Sequence, residues 1–291
     1  MKHLISMKRP LLAPLLTKDL DGIIVPLENY AMRQSDYVPL DALSETVEQI
    51  KAARKAVWVN MNGIFHQPDL DGLKRAFEHV VALDVDGILF ADLAVQQLAA
   101  DYGVTDKLIY YPETYVTADE DLVFWAHEGI HSAVAAKEMT LDDLSAMHEK
   151  RAMPLTILGH GYINMFHSKR TLLKTFFKFS KDTPTQSTHN KTFNIVESLR
   201  DETYPIYQDA FGTHIFRSQP LQSFSVYDTL KQYVDYLMID TQFYSNERIM
   251  EIVDDYARCR VGRAPKGQYD DHDQGFYFKK TVYAQSKEEL L

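Results

Sequence analysis

The 291-residue chain is long enough to bury the core of a barrel-sized domain, and its 45% hydrophobic and 25% charged residues fall in the globular range. A formal net charge of −10 argues against nucleic-acid binding over the whole surface. The single cysteine, Cys259, excludes an intramolecular disulfide and any site built from several thiolates.

In chain order, short apolar runs alternate with amphipathic segments. The N-terminus has basic residues ahead of an apolar stretch, but Lys8, Arg9 and Pro10 interrupt it and no small-residue cleavage site follows. Residues 11–16 therefore read as the first strand rather than a leader. No apolar run approaches the roughly 18 residues of a spanning helix, so no membrane span and a cytoplasmic setting are expected. Further strand-like runs lie at 22–27, 56–62, 87–92, 107–113, 130–137, 155–160 and 236–240. Several are apolar nearly throughout, as parallel strands covered on both faces require.

Between them, Leu43, Val47, Ile50 and Ala53 recur at helical spacing, as do Leu73, Phe77, Val80 and Val81, then Leu122, Trp125 and Ala126. Thr140 with Asp143, and Ser225 with Asp228, have the spacing of capping boxes. Cys259 follows Ile249, Ile252, Val253 and Tyr256 on one apolar face, which reads as a structural thiol. Eight strands with intervening helices, and no glycine-rich phosphate turn, favour a closed α/β barrel, (β/α)8 and TIM-like, over an open doubly wound sheet. The barrel is expected over residues 1–263. It includes an insertion after the seventh strand at about 167–217, and residues 264–291 form a C-terminal extension packed on the barrel or on a partner, in which the strand-like run GFYFKKTVYA reads as a hairpin partner or an oligomer contact.

Residues 150–200 hold nine Lys or Arg against two acids, a local balance of +7 in an otherwise acidic chain. The run KRTLLKTFFKF has two readings. Phe176, Phe177 and Phe179 with Leu172 and Leu173 could pack a helix onto the barrel. Lys169, Arg170, Lys174 and Lys178 could instead contact phosphates, with an aromatic left to stack on a base.

Barrel enzymes place their reactive groups at strand C-termini. Here these positions hold Glu28, Asn60, Asn62, Asp92, Glu113, Lys137, Glu138, His160 and Asp240. Glu113 and Glu138 are candidate acid–base carboxylates, and His160 completes the candidate catalytic set. Glu28, Asn60, Asn62, Asp92, Lys137, His167 and Asp240 are candidate substrate ligands. No HExxH or GxSxG motif occurs, so no metal site is expected, and the common protease chemistries each lack a visible part.

The segment AKEMTLDDLSAMHEKRAMPLTILGHGYINMFHSKRTLL resembles the signature of peptidase family U32, the collagenase-like peptidases. Lys137-Glu138-Met139 stands where the family has Arg-Glu-Leu, and His160-Gly161 stands for its His-Gly. Ser168-Lys169-Arg170-Thr171 stands for its Ser-Gly-Arg-Cys. Relatives that modify RNA or ubiquinone precursors carry four cysteines for an iron–sulfur cluster; the first two would fall at Asn164 and Thr171, so the cluster is expected to be absent. The pattern is similar to a short, cysteine-poor member found beside a longer paralogue. That likeness implies a role with the paralogue in prephenate-dependent hydroxylation of the tRNA wobble uridine. It further implies prephenate as co-substrate, tRNA as a partner, and a homo- or hetero-oligomer. A collagen-degrading hydrolase and a non-catalytic small-molecule-binding barrel remain the alternatives.

Overall fold

The structure, a computed structural model, describes residues 1–180, 191–196 and 202–278. Eight parallel strands close the barrel. They are β1 (Lys2–Ser6), β2 (Gly22–Pro26), β3 (Ala56–Met61), β4 (Gly87–Phe90), β5 (Leu108–Tyr110), β6 (Ser132–Val134) and β7 (Leu155–Gly161), with β13 (Tyr236–Ile239) pairing between β7 and β1. Side chains alternate across each strand, so one set fills the lumen. Leu4, Ile24, Trp58, Leu89, Ile109, Tyr111, Val134 and Met238 form this inner cluster.

Outward residues such as Ile5, Ile23, Val57 and Ile88 meet the helices. These are α1 (Leu12–Leu16), α2 (Leu43–Ala52), α3 (Leu70–Ala82), α4 (Leu93–Tyr102), α5 (Asp119–His127), α6 (Leu141–Lys150), α8 (Tyr227–Tyr233) and α9 (Asn246–Arg260). The expected apolar faces are the buried ones: Leu43, Val47 and Ile50 on α2, and Leu73, Phe77 and Val80 on α3. The Thr140 hydroxyl accepts from Asp143 N and caps α6.

Three expectations change. Residues 11–16 are not a strand: β1 lies earlier, and Pro10 and Pro14 sit in the first turns of a 3-10 helix (Arg9–Leu11) and α1, where a missing N–H costs nothing. A central parallel strand could not accommodate them. Ser225 lies inside a short 3-10 turn (Phe224–Val226) rather than capping α8. In the extension, residues 275–278 form a turn instead of a strand. Tyr277 there is buried, with its hydroxyl 2.8 Å from Ser223 Oγ; the remainder of that run lies outside the described residues.

The insertion is a second, antiparallel sheet, ordered β8 (Asn164–Ser168), β11 (Gly212–Phe216), β10 (Thr203–Asp209), β9 (Lys191–Val196), with helix α7 (Leu172–Ser180). It begins three residues earlier than expected. A two-residue strand, β12 (Leu221–Gln222), returns the chain to β7. Side chains of the sheet cap the N-terminus of α7: Leu172 N donates to Thr213 Oγ1 and Leu173 N to Gln208 Oε1. The helix thus packs on its own sheet. Leu173 is buried and Phe177 meets Phe193, while Phe176 and Phe179 are exposed, against the expectation that all three rings anchor α7 to the barrel.

Candidate functional site

The C-terminal mouth of the barrel is organised around a buried carboxylate. Glu113, after β5, forms ion pairs with Arg33 Nη2 and, at 3.0 Å, with Lys137 Nζ. The three side chains are only 5–11% exposed. Arg33 and Glu113 both adopt left-handed backbone, at φ 57° and 74°. For residues with side chains this costs about 1–2 kcal/mol each, so the surroundings impose the conformation.

The loop that carries Arg33 is held from two sides. Asn60 Oδ1 accepts from Asn62 N, and Asn62 Oδ1 accepts from Met32 N at 3.1 Å. From the insertion, Asp209 Oδ2 accepts from Arg33 N at 2.8 Å, and Tyr207 Oη donates to Gln34 O at 3.1 Å. Asp209 also pairs through Oδ1 with His214 Nε2 at 3.0 Å, and His167 stacks on His214 with ring centroids 4.7 Å apart. The inserted sheet therefore sits against the mouth and supplies part of it.

Burial sets the protonation behaviour here. It lowers Arg33 and Lys137, opposed by Tyr111 and Asp240 and, at Arg33, by Asp209. It raises Asp240, opposed by the Gln242 backbone N–H and by the Lys137 and Arg33 charges. It lowers His214 to about 4, so that ring is neutral at pH 7. Asp209 is pushed up by burial but is held below the usual range by N–H donors from His214, Arg33 and Phe211. A mouth with one carboxyl pushed up beside buried cations can bind an anion and exchange a proton.

The structure brings together Glu113, Lys137, Asp240, Asn60, Asn62 and His167 among the expected residues. Others stand apart. His160 leaves the mouth: a register shift pairs it with Ile239, where the preceding register would pair it with Asp240, and its ring lies among Phe224, Tyr244, Tyr256, Tyr269 and His272. Its Nδ1 is 3.3 Å from Tyr256 Oη, and burial holds its pKa well below 6.5. Asp92 is the N-cap of α4, accepting from Ala94 N and Phe65 N at 2.9 Å. Glu138 is half-buried beside Lys137 without joining the Glu113 pair, and exposed Glu28 borders a small recess next to Asp209.

Lys169 donates to Ile64 O at 2.8 Å, whereas Arg170, Lys174 and Lys178 are exposed around α7. Arg33, Asp209, His214 and Tyr207 were not expected. The turn in YPIYQDAFGTHIF was the signal for the hairpin that carries three of them.

The positions aligned with cluster cysteines do not fit iron–sulfur ligation. Asn164 Nδ2 donates to Phe166 O and Ile215 O, and Thr171 leads into α7. Cys259 lies buried on α9 with its thiol raised to about 11 by burial. Among the described residues no three His, Cys, Asp or Glu side chains group as a metal site would require. No described helix is long and apolar enough to cross a membrane.

The profile of peptidase family U32 matches residues 11–274. The chain belongs to peptidase family U32. The tRNA hydroxylation protein P2 of Bacillus subtilis (strain 168) is 26% identical over 93% of this chain and 94% of that protein. The tRNA hydroxylation protein P1 of the same strain is 22% identical over 53% of this chain and 36% of that protein, so P1 is the longer chain. Among solved structures, the U32 peptidase Mk0906 superposes with a TM-score of 0.51 at 17% identity, covering 81% of this chain and 90% of that one. That likeness concerns the fold.

Proposed function

We propose that this U32 protein takes part in tRNA hydroxylation, as a subunit that acts with a longer paralogue in the prephenate-dependent hydroxylation of the wobble uridine. The observation that carries the reading is the near end-to-end similarity to tRNA hydroxylation protein P2. The partial match to the longer P1 supports a paired system. With a single cysteine, this chain leaves any iron–sulfur centre to its partner. Its own share is the mouth: Arg33 and Lys137 suit an anionic co-substrate, and Asp240 suits proton exchange. The basic insertion, with Arg170, Lys174 and Lys178 exposed, suits a tRNA backbone.

Mass spectrometry of tRNA nucleosides from a deletion strain tests the reading. Wobble 5-hydroxyuridine should fall and return on complementation with the wild-type chain. Its persistence at wild-type level, with alternative hydroxylation routes also deleted, would refute the assignment.

A further inference from the structure

A cleft of about 800 Å³ opens where the insertion meets the loops after β2 and β3. It is lined by Tyr30 and Phe65 from the barrel loops and by Phe211, which occupies the turn between β10 and β11. The rings form a connected wall: Tyr30 to Phe65 is 6.1 Å between centroids, and Phe65 to Phe211 is 5.9 Å edge to face. Two constraints fix that wall. A Cβ at Gly63 would lie 2.5 Å from the Phe211 ring, so only glycine lets the ring seat there. Tyr30 Oη donates to Gly72 O at 2.9 Å.

Two cations border the rings. Lys169 Nζ lies 5.1 Å from the Phe211 centroid, and the exposed Arg75 also lines the cleft. Asp69 and Asp71 share the rim, and Asp69 is engaged by His66 N. The local charge is therefore balanced, which suits a ligand held by stacking as much as by charge. Through Asn29, Ala210 and Phe211 the cleft adjoins the recess beside Asp209, and so the mouth.

We propose that this cleft binds one nucleotide of single-stranded RNA, with the base against Tyr30 and Phe65 and its phosphates at Lys169 and Arg75. Exposed aromatic rings with cations at the edge are what base stacking and phosphate contact require. The inference rests on the tRNA reading and locates where the strand enters. The balanced rim predicts a shallow salt dependence: two phosphate contacts give a slope of log K on log salt of about −1.4.

The test uses the full chain and a 17-nucleotide stem-loop with 4-thiouridine in its loop. Near-ultraviolet crosslinks should map to peptides containing Tyr30, Phe65 or Phe211. In fluorescence anisotropy, Phe65→Ala should weaken binding about 5- to 100-fold. Arg75→Glu, at a surface position that leaves the core intact, should weaken binding and lower the salt slope by about 0.7. Crosslinks confined to α7, no RNA binding, or unchanged affinity in both variants would overturn the proposal. Equal competition by uridine 5′-monophosphate would overturn it in favour of a free nucleotide.

The two readings fail separately. If deletion abolishes the tRNA modification but the Phe65→Ala, Arg75→Glu chain restores it fully, the cleft assignment falls and the pathway reading stands. If deletion changes nothing while the crosslinks map to the cleft, the reverse holds.

Discussion

Replacing Glu113 by Gln removes the one carboxylate that pairs with both Arg33 and Lys137, and leaves two cations buried. Removing one partner of a buried ion pair costs about 3–5 kcal/mol, because the desolvation of the remaining charge is no longer offset. The unfolding entropy near the midpoint is about 2.1 cal/mol/K per residue, or about 0.6 kcal/mol/K for a chain of this length, so Tm should fall by about 5–8 °C. The loss has a definite pH dependence. Burial lowers the Lys137 pKa in the folded state. The unfolded state therefore binds more protons as pH approaches the lysine range, and stability rises with pH. Without Glu113 this effect strengthens, so the deficit should shrink between pH 7 and pH 9.5. Adding Lys137→Met removes one orphaned charge and should recover part of the loss. Thermal unfolding followed by near-ultraviolet circular dichroism measures all three. A Tm within about 1 °C of wild type, or a deficit that grows with pH, would refute the buried-pair reasoning.

Acid should destabilise the fold before most carboxylates titrate. Burial lowers His3 to about 3 and His214 to about 4, so the unfolded chain takes up these protons first, and each histidine should cost about 1 kcal/mol between pH 7 and 5.5. Urea unfolding at the two pH values checks this, and a flat profile would contradict neutral burial. Thr140→Ala, which removes the α6 cap, should cost about 1 kcal/mol in the same assay, with Thr140→Ser recovering most of it. Lys174→Glu with Lys178→Glu should weaken tRNA binding in gel-shift assays at 50 mM salt with little change in Tm, since both side chains are exposed. Equal affinity would remove α7 from the RNA-facing surface.

The barrel was legible because its strands are apolar runs of the right length and its helices carry buried stripes such as Leu73, Phe77 and Val80. The misplaced first strand shows the limit of apolarity alone. Residues 11–16 are apolar, yet Pro10 and Pro14 decide for a helix, and the polar-looking Lys2–Ser6 segment makes β1 because His3 can be buried against Tyr227. Strand-end reasoning placed Glu113, Lys137 and Asp240 at the mouth, where they follow β5, β6 and β13 within three residues. It failed for His160, because a one-residue register shift reverses which face a side chain takes, and no local pattern reports that shift.

Arg33 and Asp209 escaped for a different reason, and it bears on what the insertion does. They are 176 residues apart, and their contact exists only because the second sheet folds back onto the barrel. Arg33 is held in left-handed backbone by that contact and by Asn62 acting on Met32, so the geometry of the Glu113 pair depends on the insertion being seated. An RNA strand in the cleft would bear on the same joint, since Lys169 and Phe211 belong to the insertion, whereas Tyr30 and Phe65 belong to barrel loops. Occupying the cleft would clamp the two parts together and thereby stabilise the arrangement of Arg33, Glu113 and Lys137. The insertion is thus better understood as the second wall of the site than as an appendage to the barrel.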